Sequence, residues 1–296
     1  MSLCSRADVG ARPIDDYHHV NTAMPNDSLL TYLFVPGDRP ERFAKAVASG
    51  ADRVIIDLED AVAPASKAAA RSAIAEWLQS NRDHVDKVLI RINDAATAWH
   101  AGDLAWAQAV QATCVMLPKC EAAHQVAAVL ACLPAHASVV PLIESARGLV
   151  AVHDIANSTG VTRLAFGSLD YMVDMAVDSG SLALDYAATQ IAVASRAAGL
   201  ASPIAGVTPD LDPARVTADM RHAKSLGFGA KMCIHPAQLA AVLAALAPTA
   251  AEVAWAERVL QAWAASGSGA IQLDGKMVDR PVVLKAERIV LLASRA

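Results

Sequence analysis

Residues 53–58, Arg53-Val54-Ile55-Ile56-Asp57-Leu58, followed by a pattern of helical period at 65–80, decide the fold class. The run is short, β-branched and apolar on both faces, as a strand buried inside a parallel sheet must be. The couplet recurs along the chain. Runs at 32–35, 88–92, 114–117, 138–143, 163–166, 203–206 and 230–234 bring the strands to eight. Helical patterns at 40–49, 121–132, 145–158, 185–198, 213–225 and 237–245 separate them, with a weaker one near 99–111. Alternating strands and helices imply βα units and a parallel sheet. Eight units in ~220 residues predict an α/β chain closed into a (β/α)8 TIM barrel rather than an open sheet.

The barrel is expected over 29–248. Residues 1–28 are polar and irregular, with Pro13, Pro25 and the pair His18-His19, and read as an N-terminal extension. Beyond 248 the rhythm changes. A helix at 249–265 is followed by the Gly/Ser-rich turn Ser266-Gly267-Ser268-Gly269, a short strand at 270–273, the turn Asp274-Gly275 and a last helix at 281–293. Proline in the first turn suits that last helix. This C-terminal helical segment, 249–296, is too small for a domain and large enough for a lid or an oligomer arm.

Composition narrows the function. Hydrophobic residues make up 54% of 296, enough for a sizeable core. The net charge of -5, with the charges interspersed, argues against a nucleic-acid partner. Five cysteines without a CxxC pair, and no recognisable secretory signal, lead us to expect a reduced, cytoplasmic protein. No apolar run is expected to reach the ~18–20 residues of a membrane-spanning helix. Cys120 follows Lys119, which would lower a thiol pKa, yet an inert thiol is the expectation. Trp99, Trp106, Trp255 and Trp263 read as packing residues.

Active sites of such barrels lie at the C-terminal ends of the strands. There the sequence places Asp57-Leu58-Glu59-Asp60, Arg91-Ile92-Asn93, Leu117-Pro118-Lys119, Ile143-Glu144-Ser145, Gly167-Ser168-Leu169-Asp170 and His235-Pro236. Carboxylates on three strands, opposed by Arg91 and Lys119, suit a metal better than a set of ion pairs, because buried charge must be compensated. Glu144 and Asp170 are hard oxygen donors with no His or Cys beside them. They favour Mg2+, or Mn2+ as a substitute, over Zn2+.

These motifs, in this order, make the chain similar to the citrate lyase β-subunit-like family of the HpcH/HpaI aldolase group. The resemblance rests on Leu33-Phe34-Val35-Pro36-Gly37-Asp38-Arg39, Asp57-Leu58-Glu59-Asp60-Ala61-Val62, Arg91-Ile92-Asn93, Leu117-Pro118-Lys119 and Ile143-Glu144-Ser145-Ala146-Arg147-Gly148. It continues through Phe166-Gly167-Ser168-Leu169-Asp170-Tyr171, Ile234-His235-Pro236 and 275–281. It implies Mg2+ ligation by Glu144 and Asp170. Arg91 would stand beside the reacting carbonyl, with Glu59 and Asp60 close to the metal. Lys119 would be structural or face the thioester. Asp279 would be a catalytic aspartate that in relatives reaches a neighbouring subunit's site, which implies a homo-oligomer, trimer or hexamer.

Arg39, Arg42 and Lys45 lie where relatives bind CoA; a solvated helix face is the other reading. His235 reads as orienting the eighth loop.

The implied activity is Mg2+-dependent carbon–carbon cleavage of a 3-hydroxyacyl thioester, of malyl-, citramalyl- or citryl-CoA type, into an acetyl thioester and a keto acid. The partners are a CoA thioester and a keto or hydroxy acid. An acyl-CoA thioesterase or malate-type synthase would use the same residues, and a citrate lyase subunit would take a carrier-protein thioester. A non-catalytic barrel-fold binding protein is the reading from another class. A phosphate-binding isomerase is disfavoured, since 206–209 lacks a glycine-rich loop.

Overall fold

The computed structural model describes residues 28–266 and 269–294. His18-His19 and the rest of 1–27 lie outside them, as do Gly267 and Ser268. The described chain divides into two compact units at Pro248.

The larger unit is a closed barrel of eight parallel strands in sequential order. They are β1 (Thr31–Pro36), β2 (Arg53–Asp57), β3 (Val88–Arg91), β4 (Cys114–Leu117), β5 (Ser138–Ile143), β6 (Ala165–Phe166), β7 (Ile204–Ala205) and β8 (Ala230–Cys233). β8 returns to β1, with Tyr32 opposite Met232 and Leu33 opposite Cys233. The period of two decides which residue faces where. Tyr32, Ile55, Leu89, Met116 and Val140 fill the barrel interior. Their neighbours Leu33, Val54, Ile56, Ile90 and Val139 face the surrounding helices. Each face is apolar because each is covered.

The helices are α1 (Phe43–Val47), α2 (Lys67–Ser80), α3 (His100–Ala109), α4 (Ala123–Leu130), α5 (Ala146–Val150), α6 (Val152–Ala156), α7 (Ser168–Met175), α8 (Leu182–Ala197), α9 (Pro213–Ser225) and α10 (Leu239–Leu246). The helix expected at 145–158 is two, because Ala151 leaves helical geometry between α5 and α6. β6 and β7 shrink to two residues each. At the start of the first, Arg163 is buried and donates to the Leu29 carbonyl at 2.6 Å, so it helps close the barrel floor instead of extending a strand. α7 was not expected. It starts directly after Gly167 and takes Ser168, Leu169 and Asp170, expected at the end of the sixth strand, into its first turn.

The stretch Pro236–Ser266 is long and apolar enough to cross a membrane, with a mean hydropathy of 1.6, against the expectation that no run would be. It is not one helix. Ala247 turns extended (ψ 141°) ahead of Pro248, and Leu239, Val242 and Leu246 of α10 are buried in the barrel core.

The smaller unit holds α11 (Ala250–Ser266), the antiparallel pair β9 (Ile271–Leu273) and β10 (Lys276–Val278), and α12 (Arg280–Ala293). Ala256, Val259, Val278, Val283 and Ala286 form its own core, with Trp255 and Trp263 packed against it.

Candidate active site

The site grows from the register of two adjacent strands. Asp57 ends β2 and Arg91 ends β3, directly opposite each other. The buried Asp57 carboxylate accepts from Arg91 Nε and Nη2, both at 2.7 Å. It also accepts from the backbone N–H of Glu59 at 2.8 Å and of Ala61 at 3.0 Å. One side chain thus fixes a guanidinium and shapes the loop that carries Glu59 and Asp60. A bidentate pair of this kind sets direction as well as charge.

Arg91 lies over the Phe34 ring, 4.9 Å from its centroid. Its Nη1 is 3.0 Å from Glu59 Oε2 and 4.0 Å from the exposed Asp60 carboxylate. Burial works against its charge, but Asp57, Glu59 and Asp60 outweigh burial and hold the guanidinium protonated.

Glu59 is buried, and burial raises its pKa against the pull of Arg91 and Lys119. Its Oε1 accepts from Lys119 Nζ at 2.8 Å. Its Oε2 makes the ion pair with Arg91 but accepts no hydrogen bond.

Lys119 has a left-handed backbone (φ 44°). For a residue with a Cβ this geometry costs roughly 1–2 kcal/mol. It aims the Lys119 N–H at Glu144 Oε1, 2.7 Å away, while the ammonium reaches Glu59. Burial lowers the Lys119 pKa; the hydrogen bond to Glu59, with Glu59, Glu144 and Asp60 nearby, more than reverses this.

Glu144 follows β5 and is 3% exposed. Ser145 then stops the strand and caps α5, its Oγ accepting from the Gly148 N–H at 3.1 Å. Gly167 packs flat on Glu144: a Cβ there would stand 2.7 Å from the Glu144 Cβ. Asp170 is exposed in the first turn of α7, where the helix dipole favours a carboxylate. Burial, then Glu59 and Asp170, raise the Glu144 pKa to about 8, against the Lys119 N–H.

A small cavity of about 60 Å3 opens here, lined by Arg91, Glu144 and Asp170 among others. Among the described residues no cluster of three or more His, Cys, Asp or Glu could hold a metal. Two carboxylates, Glu144 and Asp170, line the cavity. This fits Mg2+, which takes one or two carboxylates and leaves its other positions to water and substrate. The repulsion felt by Glu144 is the one a divalent cation would relieve.

That repulsion has a measurable consequence. Without metal, folded Glu144 keeps its proton up to about pH 8, whereas its ordinary pKa is 4.5. At this group the folded chain then binds more protons than the unfolded one, so the Glu144 contribution is most favourable at low pH and is lost as pH rises from about 5 to 8. In EDTA the melting temperature should fall through that window, and Glu144→Gln should flatten the slope. A slope unchanged by the substitution would remove Glu144 as its source.

A second layer supports the loop after β2. Lys67 Nζ donates to the carbonyls of Leu58 and Glu59, both at 2.7 Å, and lies over the Trp99 ring. Buried Asp103 accepts from Asn93 N and Nδ2 at 2.7 and 2.6 Å and from Arg71 at 2.7 Å. Sequence reasoning missed Asp57, Lys67 and Asp103. For Asp57 the signal was present, since strand ends two and three set an acid beside an arginine. For the others, partners 8–32 positions away left none.

The remaining candidates have other contacts. Arg39, Arg42 and Lys45 sit in the first βα connection. Arg39 and Arg42 are only loosely paired with neighbouring Asp38 and Glu41, at 3.8 and 3.9 Å. Asp279 is in the smaller unit, where its carboxylate caps α12 by accepting from the Val282 N–H at 3.3 Å. His235 accepts from the Ala237 N–H at 3.1 Å, which orients the eighth loop. Cys120 is buried and burial pushes its thiol up to about 12, so Lys119 does not activate it.

Residues 30–236 match the profile of the HpcH/HpaI aldolase/citrate lyase family. The chain belongs to this family. Among its relatives, a citrate lyase subunit beta-like protein of Mycobacterium tuberculosis is 37% identical over 90% of this chain and 96% of its own length. A (3S)-malyl-CoA thioesterase of Cereibacter sphaeroides is 28% identical over 88% of this chain and 93% of its own. In three dimensions the chain is similar to a CitE protein of M. tuberculosis solved in complex with magnesium, acetoacetate and coenzyme A. There the TM-score is 0.79 at 36% identity, over 90% of this chain and 98% of that one.

Proposed function

We propose that the barrel mouth is the centre of a Mg2+-dependent carbon–carbon lyase acting on a 3-hydroxyacyl thioester of CoA. The observation that supports this best is the shared cavity of Arg91, Glu144 and Asp170. Glu144 and Asp170 hold the ion. Bound there, Mg2+ (or Mn2+) supplies Lewis-acid chemistry at the substrate's carboxylate and hydroxyl oxygens.

The protein's own groups do the rest. Glu59, whose Oε2 lacks a hydrogen bond, takes the hydroxyl proton. The carbon–oxygen double bond of the keto acid forms as the neighbouring C–C bond breaks. Its electron pair enters the thioester as an enolate. Arg91, held in direction by Asp57, places its charge toward that oxygen; stabilisation of this kind is typically worth about 3–4 kcal/mol. A proton returns to the enolate carbon and gives the acetyl thioester. The family resemblance assigns that proton to Asp279, and the oligomeric state to a homo-oligomer. Arg39, Arg42 and Lys45 are the phosphate contacts for CoA.

Thioester hydrolysis on the same site is the second reading, favoured by the malyl-CoA thioesterase relatives. One assay separates them. Malyl-, citramalyl- and citryl-CoA are each incubated with Mg2+, with and without EDTA, and keto acid and free CoA are measured independently. Keto acid plus acetyl-CoA, abolished by EDTA, is the expected result. Free CoA beside an intact hydroxy acid would replace the lyase with a thioesterase, and no turnover in any arm would overturn both.

A further inference from the structure

Resting on the reading of Glu144 and Asp170 as the ion's ligands, we infer that Asp174 is a positioning residue: its carboxylate ties α7 to the start of α5 and so fixes the gap between the two ligands. The case begins with how little else holds Asp170. Its carboxylate has no hydrogen bond to another described residue, so its place is the place of its helix. That helix is short and thinly packed. Tyr171 is its one buried residue, with its ring in an edge contact on Phe166 at 5.4 Å between centroids. Val173 is exposed, and the helix stops at the left-handed Ala176 (φ 51°). An element with so few buried contacts is the kind that tilts or opens locally. Mg2+ tolerates little of that, because it demands near-ideal octahedral geometry.

Two hydrogen bonds take the tilt away. The Gly167 N–H donates to the Ile143 carbonyl at 2.9 Å. The Ala146 N–H donates to Asp174 Oδ2 at 2.7 Å. Together they bracket the ligands: Glu144 lies between Ile143 and Ala146, and Asp170 between Gly167 and Asp174. The second bond has the length of a charge-assisted one. It also gives a partner to an N–H that the first turn of α5 cannot satisfy internally. Asp170 and Asp174 stand one helical turn apart, where like charges destabilise an isolated helix. The acid at 174 therefore works against its own helix, and what it gains is the bond to the neighbouring one. That bond is at the surface, so its loss matters little to the barrel and much to a pair of ligands that must converge on one ion.

Titration of the wild-type protein and its variants with Mn2+, followed by the paramagnetic resonance of the free ion, reads the ligand pair with no substrate present. Asp174→Ala should bind Mn2+ about 10–100-fold more weakly, the usual cost of losing a residue that orients a metal ligand. Its melting temperature in EDTA should stay within about 2 °C of wild type. Asp174→Asn removes the same charge but keeps an amide oxygen at the same reach to accept from Ala146, and should bind within about 3-fold of wild type. Wild-type affinity in Asp174→Ala overturns the inference. An Asp174→Asn as weak as Asp174→Ala also overturns it, since the charge and not the tie would then be the cause. A collapse of the Asp174→Ala melting temperature in EDTA would make Asp174 a residue of the fold instead. Asp170→Ala separates the inference from the reading beneath it. If Asp170→Ala binds Mn2+ like wild type, the ligand reading falls and takes the inference with it. If Asp170→Ala loses the ion while Asp174→Ala keeps it, the ligands stand and the inference alone falls.

Discussion

Asp170→Ala should lower turnover by about 10^3-fold, some 4 kcal/mol of transition-state stabilisation, and leave the barrel folded. The two halves of this expectation have different sources. Asp170 is exposed on the first turn of α7, and no hydrogen bond ties its carboxylate to another described residue. Removing it gives up a favourable helix-dipole position worth about 0.3–1 kcal/mol and relieves repulsion at Glu144. Stability should barely change. Ion binding should change severely, because among the described residues Glu144 and Asp170 form no cluster with a third His, Cys, Asp or Glu that could hold the ion. Circular dichroism and the melting temperature in EDTA read the fold; the upward shift of that temperature on adding Mg2+ reads the ion. We expect the first to match wild type and the second to vanish together with turnover. A variant that still turns over with Mg2+, or a wild type that works in EDTA, would take the metal away from this pair. Glu144→Ala is the poorer test, since it also strands the Lys119 N–H inside the barrel mouth.

Why the sequence singles out Asp170 and Glu144 but not Asp57 follows from how each is built. Both read as carboxylates at the ends of apolar strands; this holds for Glu144, which follows β5 and is buried, whereas Asp170 lies exposed in the first turn of α7. Asp57 stands in the same kind of place, two residues ahead of Glu59 in one acidic run. Its partner is known only once β2 and β3 are set side by side and the register pairs it with Arg91. The alternation of eight strands and their helices was readable because each strand is apolar on both faces. The shortness of the sixth strand was not, since Arg163 at its expected start serves the floor of the barrel through contacts as distant as residue 29. α7 escaped because its exposed face carries Val173, at 80% exposure, and so breaks the expected apolar-inside pattern. Lys67 shows the limit most clearly. In sequence it is one lysine at the start of a helix, and only the fold brings its ammonium under the carbonyls of Leu58 and Glu59.

The second large effect lies at that hidden pair. Asp57→Asn should destabilise the protein by about 3–5 kcal/mol, the usual consequence of breaking a buried ion pair from one side. For a domain of this size the melting temperature should fall by about 6–20 °C. The asparagine keeps the shape of the side chain but turns an NH2 group toward donors: Arg91 Nη2 and Nε on one side, the N–H groups of Glu59 and Ala61 on the other. At most one of its two terminal atoms accepts. Arg91 then loses its direction, so at a temperature where the variant is folded kcat should also drop, by about 100-fold. Arg91→Lys should lose a similar amount of activity with a smaller loss of stability. An ammonium keeps the charge for Asp57 but cannot span both of its oxygens and still point at Glu59. The decisive comparison is the double variant Asp57→Asn with Arg91→Lys. If the two residues act as one device, the second substitution has little left to remove, and the combined loss of activity will fall well short of the product of the single losses. Independent, multiplying effects would mean that Asp57 stabilises the loop while Arg91 finds its orientation elsewhere, through Glu59 or the Phe34 ring.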